Sequence, residues 1–220
     1  MGCMGLAVVL VLALAAPAGG ERIVEEVVAV VRSPPSAPPR LVTRTKLVEE
    51  ARIALVSRGA TAAATGPLDR TALRAALEWL LDQMLVADEA AKLRLDEVNR
   101  DDLRAELRRF QDRFPSYPQY ERFLERAELS EDELLATLAR MLRVQRYVQS
   151  RIGVARVRED DVDGWLRARG VDGAPSAARE AARAQLAEER ATAHVRELLA
   201  ELRARADIRI MGSLRDGEGP

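Results

Sequence analysis

The stretch Asp69-Arg-Thr-Ala-Leu-Arg-Ala-Ala-Leu-Glu-Trp-Leu-Leu-Asp-Gln-Met-Leu-Val-Ala-Asp-Glu-Ala-Ala-Lys-Leu93 decides the fold class. Leu73, Ala76, Leu77, Leu80, Leu81, Met84 and Leu85 recur at i, i+3, i+4 and i+7, the spacing of one helix face. Asp69 stands where a side-chain oxygen caps the first free N–H groups. A long amphipathic helix to about Leu93 follows, and it needs partners for its apolar stripe.

Outward from it, the same pattern repeats. Thr43 to Ser57 reads as a helix with Leu47, Ala51, Ala54 and Leu55 on one face, and Gly59 to Pro67 as a small-residue linker. Asn99 caps the next helix, and Asp101 and Asp102 suit its positive end; Leu103, Leu107, Phe110 and Phe114 form its stripe. Pro115 stops it, and a short aromatic helix follows from about Pro118 to Ala127 with Tyr120, Phe123 and Leu124. Ser130-Glu-Asp-Glu133 is a capping box opening a helix to about Ile152, with Gly153 placed for a left-handed end. Arg158 to Asp161 starts a shorter helix carrying Val162, Trp165 and Leu166. Ser176 caps a final helix to about Ala206, on the order of 45 Å long at 1.5 Å per residue. Its second half has the stripe Val195, Leu198, Leu199 and Leu202.

The two ends switch period. Ile23 to Val31 is β-branched and reads as a strand; Ile208-Arg-Ile-Met211 alternates like one. Ser33-Pro-Pro-Ser-Ala-Pro-Pro39 between strand and helix is a stiff spacer, because proline removes donors and fixes φ. A two-stranded ribbon is marginal unless it packs on helices, so the terminal strands are expected to pair with each other. The expected fold is mostly α, a helical domain with a small two-stranded sheet made by the N- and C-terminal strands.

Leu6 to Ala16 is an uninterrupted apolar run followed by Ala16-Pro17-Ala18, a small-residue cleavage pattern. The run falls short of the roughly twenty residues of a spanning helix. A cleaved export signal over residues 1–18 is expected, with no stable membrane span afterwards. Cys3 is the only cysteine, so the exported chain would have no disulfide and no cysteine metal site. Lys+Arg 34 against Asp+Glu 35 gives a net charge of -1, with no basic block of the kind nucleic acid requires.

No catalytic constellation emerges, and no cofactor or metal site is expected. His194, the only histidine, sits mid-helix without a cysteine or second histidine beside it. No glycine-rich phosphate loop follows a strand, and no G-x-S-x-G elbow occurs. Carboxylates such as Glu188, Glu189 and Glu121 stand beside Arg190 and Arg122 as on solvated helix faces. The scarce aromatics cluster: Phe110, Phe114, Tyr117, Tyr120 and Phe123 make either a local core between two helices or an adaptable apolar surface for peptides. Met84 and Met141 fit both, since methionine is pliable in cores and common on promiscuous surfaces. Met84, Phe110, Phe114, Tyr117, Tyr120 and Met141 are the candidate substrate-binding residues.

In order and spacing these segments resemble the SurA-like periplasmic chaperone family. Glu21 to Val31 is similar to the family's first strand, Leu77 to Leu95 to its leucine-rich helix, and Arg94 to Leu103 to the next helix start. Leu129 to Leu134 through Gln149 to Ile152 resembles the long helix; Val157 to Trp165 resembles the helix that leads into a parvulin isomerase domain; Gln185 to Met211 resembles the closing helix and strand. The match covers most of the chain after the signal, and no single motif in it is diagnostic. Two features depart from the family. The Ser33 to Pro39 loop is longer, and Gly170-Val-Asp-Gly-Ala-Pro175 stands where the isomerase domain is expected.

The resemblance implies a helical domain over 21–169, a linker over 170–175 in place of the isomerase module, and a closing helix and strand over 176–211; the last residues, 212–220, read as a disordered tail. It implies ATP-independent binding of unfolded exported polypeptides, outer-membrane protein precursors among them, without prolyl isomerisation. The rival expectation is a helical adaptor for one specific envelope partner.

Overall fold

The computed structural model describes residues 25–93, 98–152, 157–171 and 173–215. The expected signal at 1–18 and the Gly153 cap lie outside them. The elements are β1 (Val27–Arg32), β2 (Arg40–Thr43), α1 (Arg44–Ser57), α2 (Thr61–Thr65), α3 (Arg70–Lys92), α4 (Arg100–Gln111), α5 (Tyr117–Arg126), α6 (Glu131–Ile152), α7 (Glu159–Arg167), α8 (Ser176–Ala204) and β3 (Asp207–Ile210), followed by a 3-10 turn at Gly212–Leu214. The chain is mostly α with a small antiparallel sheet.

Helix starts follow local chemistry. Thr43 accepts the Lys46 N–H at 3.3 Å, Asp69 the Ala72 N–H at 2.7 Å and Asn99 the Asp102 N–H at 2.7 Å. In the box at α6, Glu133 accepts the Ser130 N–H at 2.9 Å while Ser130 Oγ accepts the Glu133 N–H at 3.2 Å. One cap is corrected. Ser176 is the first helical residue of α8, and Pro175 precedes it in extended backbone with no side-chain cap. The linker expected over 59–67 also contains a one-turn helix, α2, whose Ala64 is buried.

The terminal strands pair, but they are not alone. The sheet order is β2-β1-β3, with β1 central and antiparallel to both neighbours. Ala29 stands opposite Val42 on one side and Ile210 on the other. The proline-rich stretch is thus a hairpin connection, and the expected two-stranded sheet gains Arg40–Thr43. A register shift between Val27 and Ala29 accompanies a break in the two-residue alternation, and Val28 and Ala29 are both buried.

Two apolar clusters fill the domain. The first joins the sheet to α3, the second half of α6 and the end of α8 through Val28, Leu77, Leu81, Tyr147 and Leu202. The second joins α1 to α4, α5 and the first half of α6 through Ile53, Phe110, Phe123, Leu134 and Leu138. Helices α1 and α6 contribute to both. Where the clusters meet, the carboxylate of Glu50 is completely buried. It accepts the Thr137 hydroxyl at 3.1 Å and both terminal nitrogens of Arg140.

Helix α7 packs on the first half of α8 through Val162, Leu166 and Ala182. Further along, Arg203 ties α8 to α3, with Nε 2.6 Å from Asp82 and Nη1 2.8 Å from Glu78.

The expected disorder over 212–220 is corrected for its first residues. Leu214 is buried against the first cluster, because Glu26 clamps the turn before it. Glu26 Oε1 accepts the Ser213 N–H at 2.7 Å, and Arg44 bridges Glu26 and the Ser213 hydroxyl.

Candidate functional site

Helices α1 and α3 face each other with small residues. Ala51 and Ala54 on one side and Ala72, Ala75 and Ala76 on the other are too short to fill the space between the backbones. A furrow of about 200 Å³ remains, walled also by Leu55, Leu68 and Trp79. Arg58 lies 5.6 Å above the Trp79 ring, a cation–π arrangement at the furrow's end.

Beyond Arg58 and Trp79, which line both, a second basin of about 340 Å³ opens between α3, α4 and α6. Its apolar wall is Met141, Leu142, Val144 and Val148, and its polar groups are Gln83, Gln145, Gln149 and Glu106, whose carboxylate is paired with Arg109. Each carboxamide offers both donors and an acceptor without charge. The two basins make an apolar groove with an amide rim. Such a rim can pair with main-chain N–H and C=O groups of an extended segment whatever its side chains, while the floor accepts aliphatic and aromatic groups.

The structure divides the six residues expected to bind substrate. Met141 lines the second basin. Met84 is half-buried against the first cluster, outside both basins. Phe110, Phe114 and Tyr120 are interior, at 2%, 8% and 1% exposure. Their rings pack on one another and on Phe123, with centroids 5.9 Å apart for Phe110–Phe114 and 5.3 Å for Phe114–Phe123. The aromatic cluster is therefore the local core between α4 and α5 and not an exposed surface: Phe110 of α4, Tyr120 and Phe123 of α5 and Phe114, which stands in the loop after α4 and not on its stripe as expected, pack with Leu134 and Leu138 of α6. Burial pushes the Tyr120 phenol above its ordinary pKa. Tyr117 alone of the aromatic four is exposed, at 58%, with its ring 5.6 Å from Tyr120.

The sequence reading missed Trp79 and the alanine furrow. The available signal was the density of alanine on two neighbouring helices flanking the tryptophan. Glu50 was also legible, since it lies at i+3 from Leu47 and i−4 from Ala54, on the apolar face.

The α7–α8 hairpin is laced with ion pairs. Arg179 bridges Glu159 and Asp163, and Arg190 reaches Asp161 at 2.8 Å. The Arg190 guanidinium and the Arg158 N–H hold the Asp161 carboxyl down at about 2. The Trp165 indole N–H donates to Glu189 at 3.2 Å, beneath Arg169, whose guanidinium lies 3.5 Å from the ring centroid. These groups lock two helices together, and among the described residues no helix is long and apolar enough to cross a membrane.

No protein-family model matches the chain, and comparison with curated proteins and with solved structures gives no match either.

Proposed function

We propose that this protein is an ATP-independent chaperone that binds unfolded exported polypeptides in the periplasm, outer-membrane protein precursors among them. The observation that carries the reading is the apolar groove along α3, with its alanine furrow, its Trp79 and Arg58 midpoint and its glutamine rim. The sequence resemblance to SurA-like chaperones, in segment order and in the signal-like N-terminus, supports it independently. The reading assigns no catalytic step and no cofactor.

Binding is reversible burial of aliphatic and aromatic segments. Each side chain fully buried contributes about 1.5–3 kcal/mol. Ordering a flexible client opposes this by several kcal/mol, so affinity is modest and release needs no energy source. The uncharged amides add hydrogen bonds that do not depend on client sequence.

The test mixes the chain lacking residues 1–18 with urea-diluted β-barrel precursors and with an unrelated unfolded soluble protein, following light scattering and binding together. Suppressed aggregation with weak, broad binding is the expected result. A saturable complex with one folded envelope protein, without effect on unfolded chains, would replace this reading with that of an adaptor.

A further inference from the structure

A third cavity, of about 460 Å³, lies at the far end of the helical lobe, between α2, α5 and the loop joining α4 to α5. Its apolar lining is Ala62, Pro115 and the edges of the buried Phe114 and Phe123, and it includes Arg113, Arg122 and Arg126 but no aspartate or glutamate. We propose that this cavity is a second binding site, specific for acidic peptide segments in which carboxylates alternate with apolar side chains.

Charge complementarity carries the proposal. Among the described residues, no carboxylate lies within ion-pair distance of any of the three guanidiniums. Two of the arginines on α4 do have such partners: Arg104 pairs with Asp101 at 3.2 Å and Arg109 with Glu106 at 2.5 Å. Arg122 and Arg126 are four residues apart on α5, where like charges face each other and weaken the helix slightly. Arg113 brings a third positive charge to the same cavity from the loop. An anion between them removes the repulsion, and guanidinium forks bind carboxylates in a fixed planar geometry.

The apolar lining also selects the ligand. A small inorganic anion would leave the exposed Ala62 and Pro115 and the edge of Phe114 uncovered, whereas an acidic peptide places apolar side chains there. The threonine hydroxyls at the rim are engaged with backbone carbonyls: Thr61 donates to Arg113 O at 3.4 Å and Thr65 to Ala62 O at 3.0 Å. The arginines and the Gln119 amide are therefore the donors left to a ligand, and only the arginines carry charge. The site is separate from the α3 groove and does not rest on the chaperone reading.

The test titrates the full chain with a rhodamine-labelled peptide of alternating Asp and Leu, and with its Asn–Leu counterpart, by fluorescence anisotropy. The acidic peptide is expected to bind roughly tenfold more tightly, through charge-assisted pairs its counterpart cannot form. That preference should shrink as salt rises from about 50 to about 300 mM. The exposed double substitution Arg122→Gln/Arg126→Gln should remove it while leaving the circular dichroism spectrum unchanged. A charge in the α3 furrow, Ala75→Glu, should leave it intact, which separates a failure here from a failure of the groove. Equal affinity for both peptides, no binding of either, or full binding by the double variant overturns the proposal. So does binding of phosphatidylglycerol vesicles in place of the peptide.

Discussion

The Glu50 carboxylate on α1 and the Arg140 guanidinium on α6 face each other fork to fork, with Nη1 donating to Oε1 at 3.0 Å and Nη2 to Oε2. Lys46 lies 3.5 Å from the same Oε1, one turn earlier on α1. The pair sits where the two apolar clusters meet and links the helices that span both. Removing one partner strands a charge in low dielectric, and replacing both need not.

Glu50→Ala should therefore destabilise the chain by about 3–5 kcal/mol, the usual cost of orphaning a buried ion. Glu50→Leu/Arg140→Met, of similar volume, should recover most of that loss. Urea unfolding of the wild type, the single variant and the pair measures both. Equal destabilisation in all variants would show that the pair stabilises in its own right.

Gly212 has φ +60, and a Cβ there would collide with the Glu26 carboxylate. Glu26 is not a loose side chain, since it accepts the Ser213 N–H and lies 3.4 Å from Arg44 Nη1, which also donates to the Ser213 hydroxyl. Gly212→Ala should cost about 1–2 kcal/mol from left-handed backbone strain and displacement of that clamp. In combination with Glu26→Ala it should cost less than the sum, because both changes break the same contacts. A double-mutant cycle in urea reads the coupling.

Acid should loosen the α7–α8 hairpin. The Asp161 carboxyl is lowered from 3.8 to about 2 by the Arg190 hydrogen bond first and the Arg158 N–H second. Its folded value is the lower one, so its contribution is fully present above 3.8 and is lost as pH falls through about 2. In a Trp79→Phe background, Trp165 fluorescence should change across that window. With Asp161→Asn the part of the change due to this group should disappear, and an unaltered profile would remove Asp161 from the account.

Core and surface aromatics should separate cleanly. Phe110→Ala should cost about 3–5 kcal/mol, because it empties a packed site among rings and leucines. Tyr117→Ala should shift stability by no more than about 0.5 kcal/mol, as exposed substitutions usually do. Thermal unfolding of the two variants decides whether the aromatic cluster is interior in solution.

Ala72 and Ala75 are exposed on the furrow wall, so Ala75→Glu should leave the helix folded. A carboxylate there should weaken binding of apolar client segments several-fold, since either it or the client must be desolvated unpaired. The aggregation assay with β-barrel precursors measures this, and undiminished suppression would remove the furrow from the client site.

What local chemistry controls was legible in the residues. Thr43, Asp69, Asn99 and Ser130 each satisfy an N–H three residues ahead, so caps and helix starts are written within a single turn. The apolar period of α3 and the β-branched ends set the class, and the need to pack isolated strands predicted the pairing of β1 with β3. At Ser176 the local reading erred by one residue, because the carbonyl of Pro175 already accepts the first helical bond, from the Arg179 N–H at 3.0 Å.

The rest was decided by contacts between distant residues. Arg40–Thr43 is too short to declare itself a strand, and only the neighbouring β1 makes it one. Leu214 looks like part of a polar tail until Glu26 folds the turn against the core. Whether the aromatic residues face inward depends on α6 closing over α4 and α5, and the groove exists only because alanines on α1 and α3 meet. Periodicity tells which face of a helix is apolar. It does not tell which partner covers that face, or how completely, because that depends on side-chain volumes brought together from across the chain.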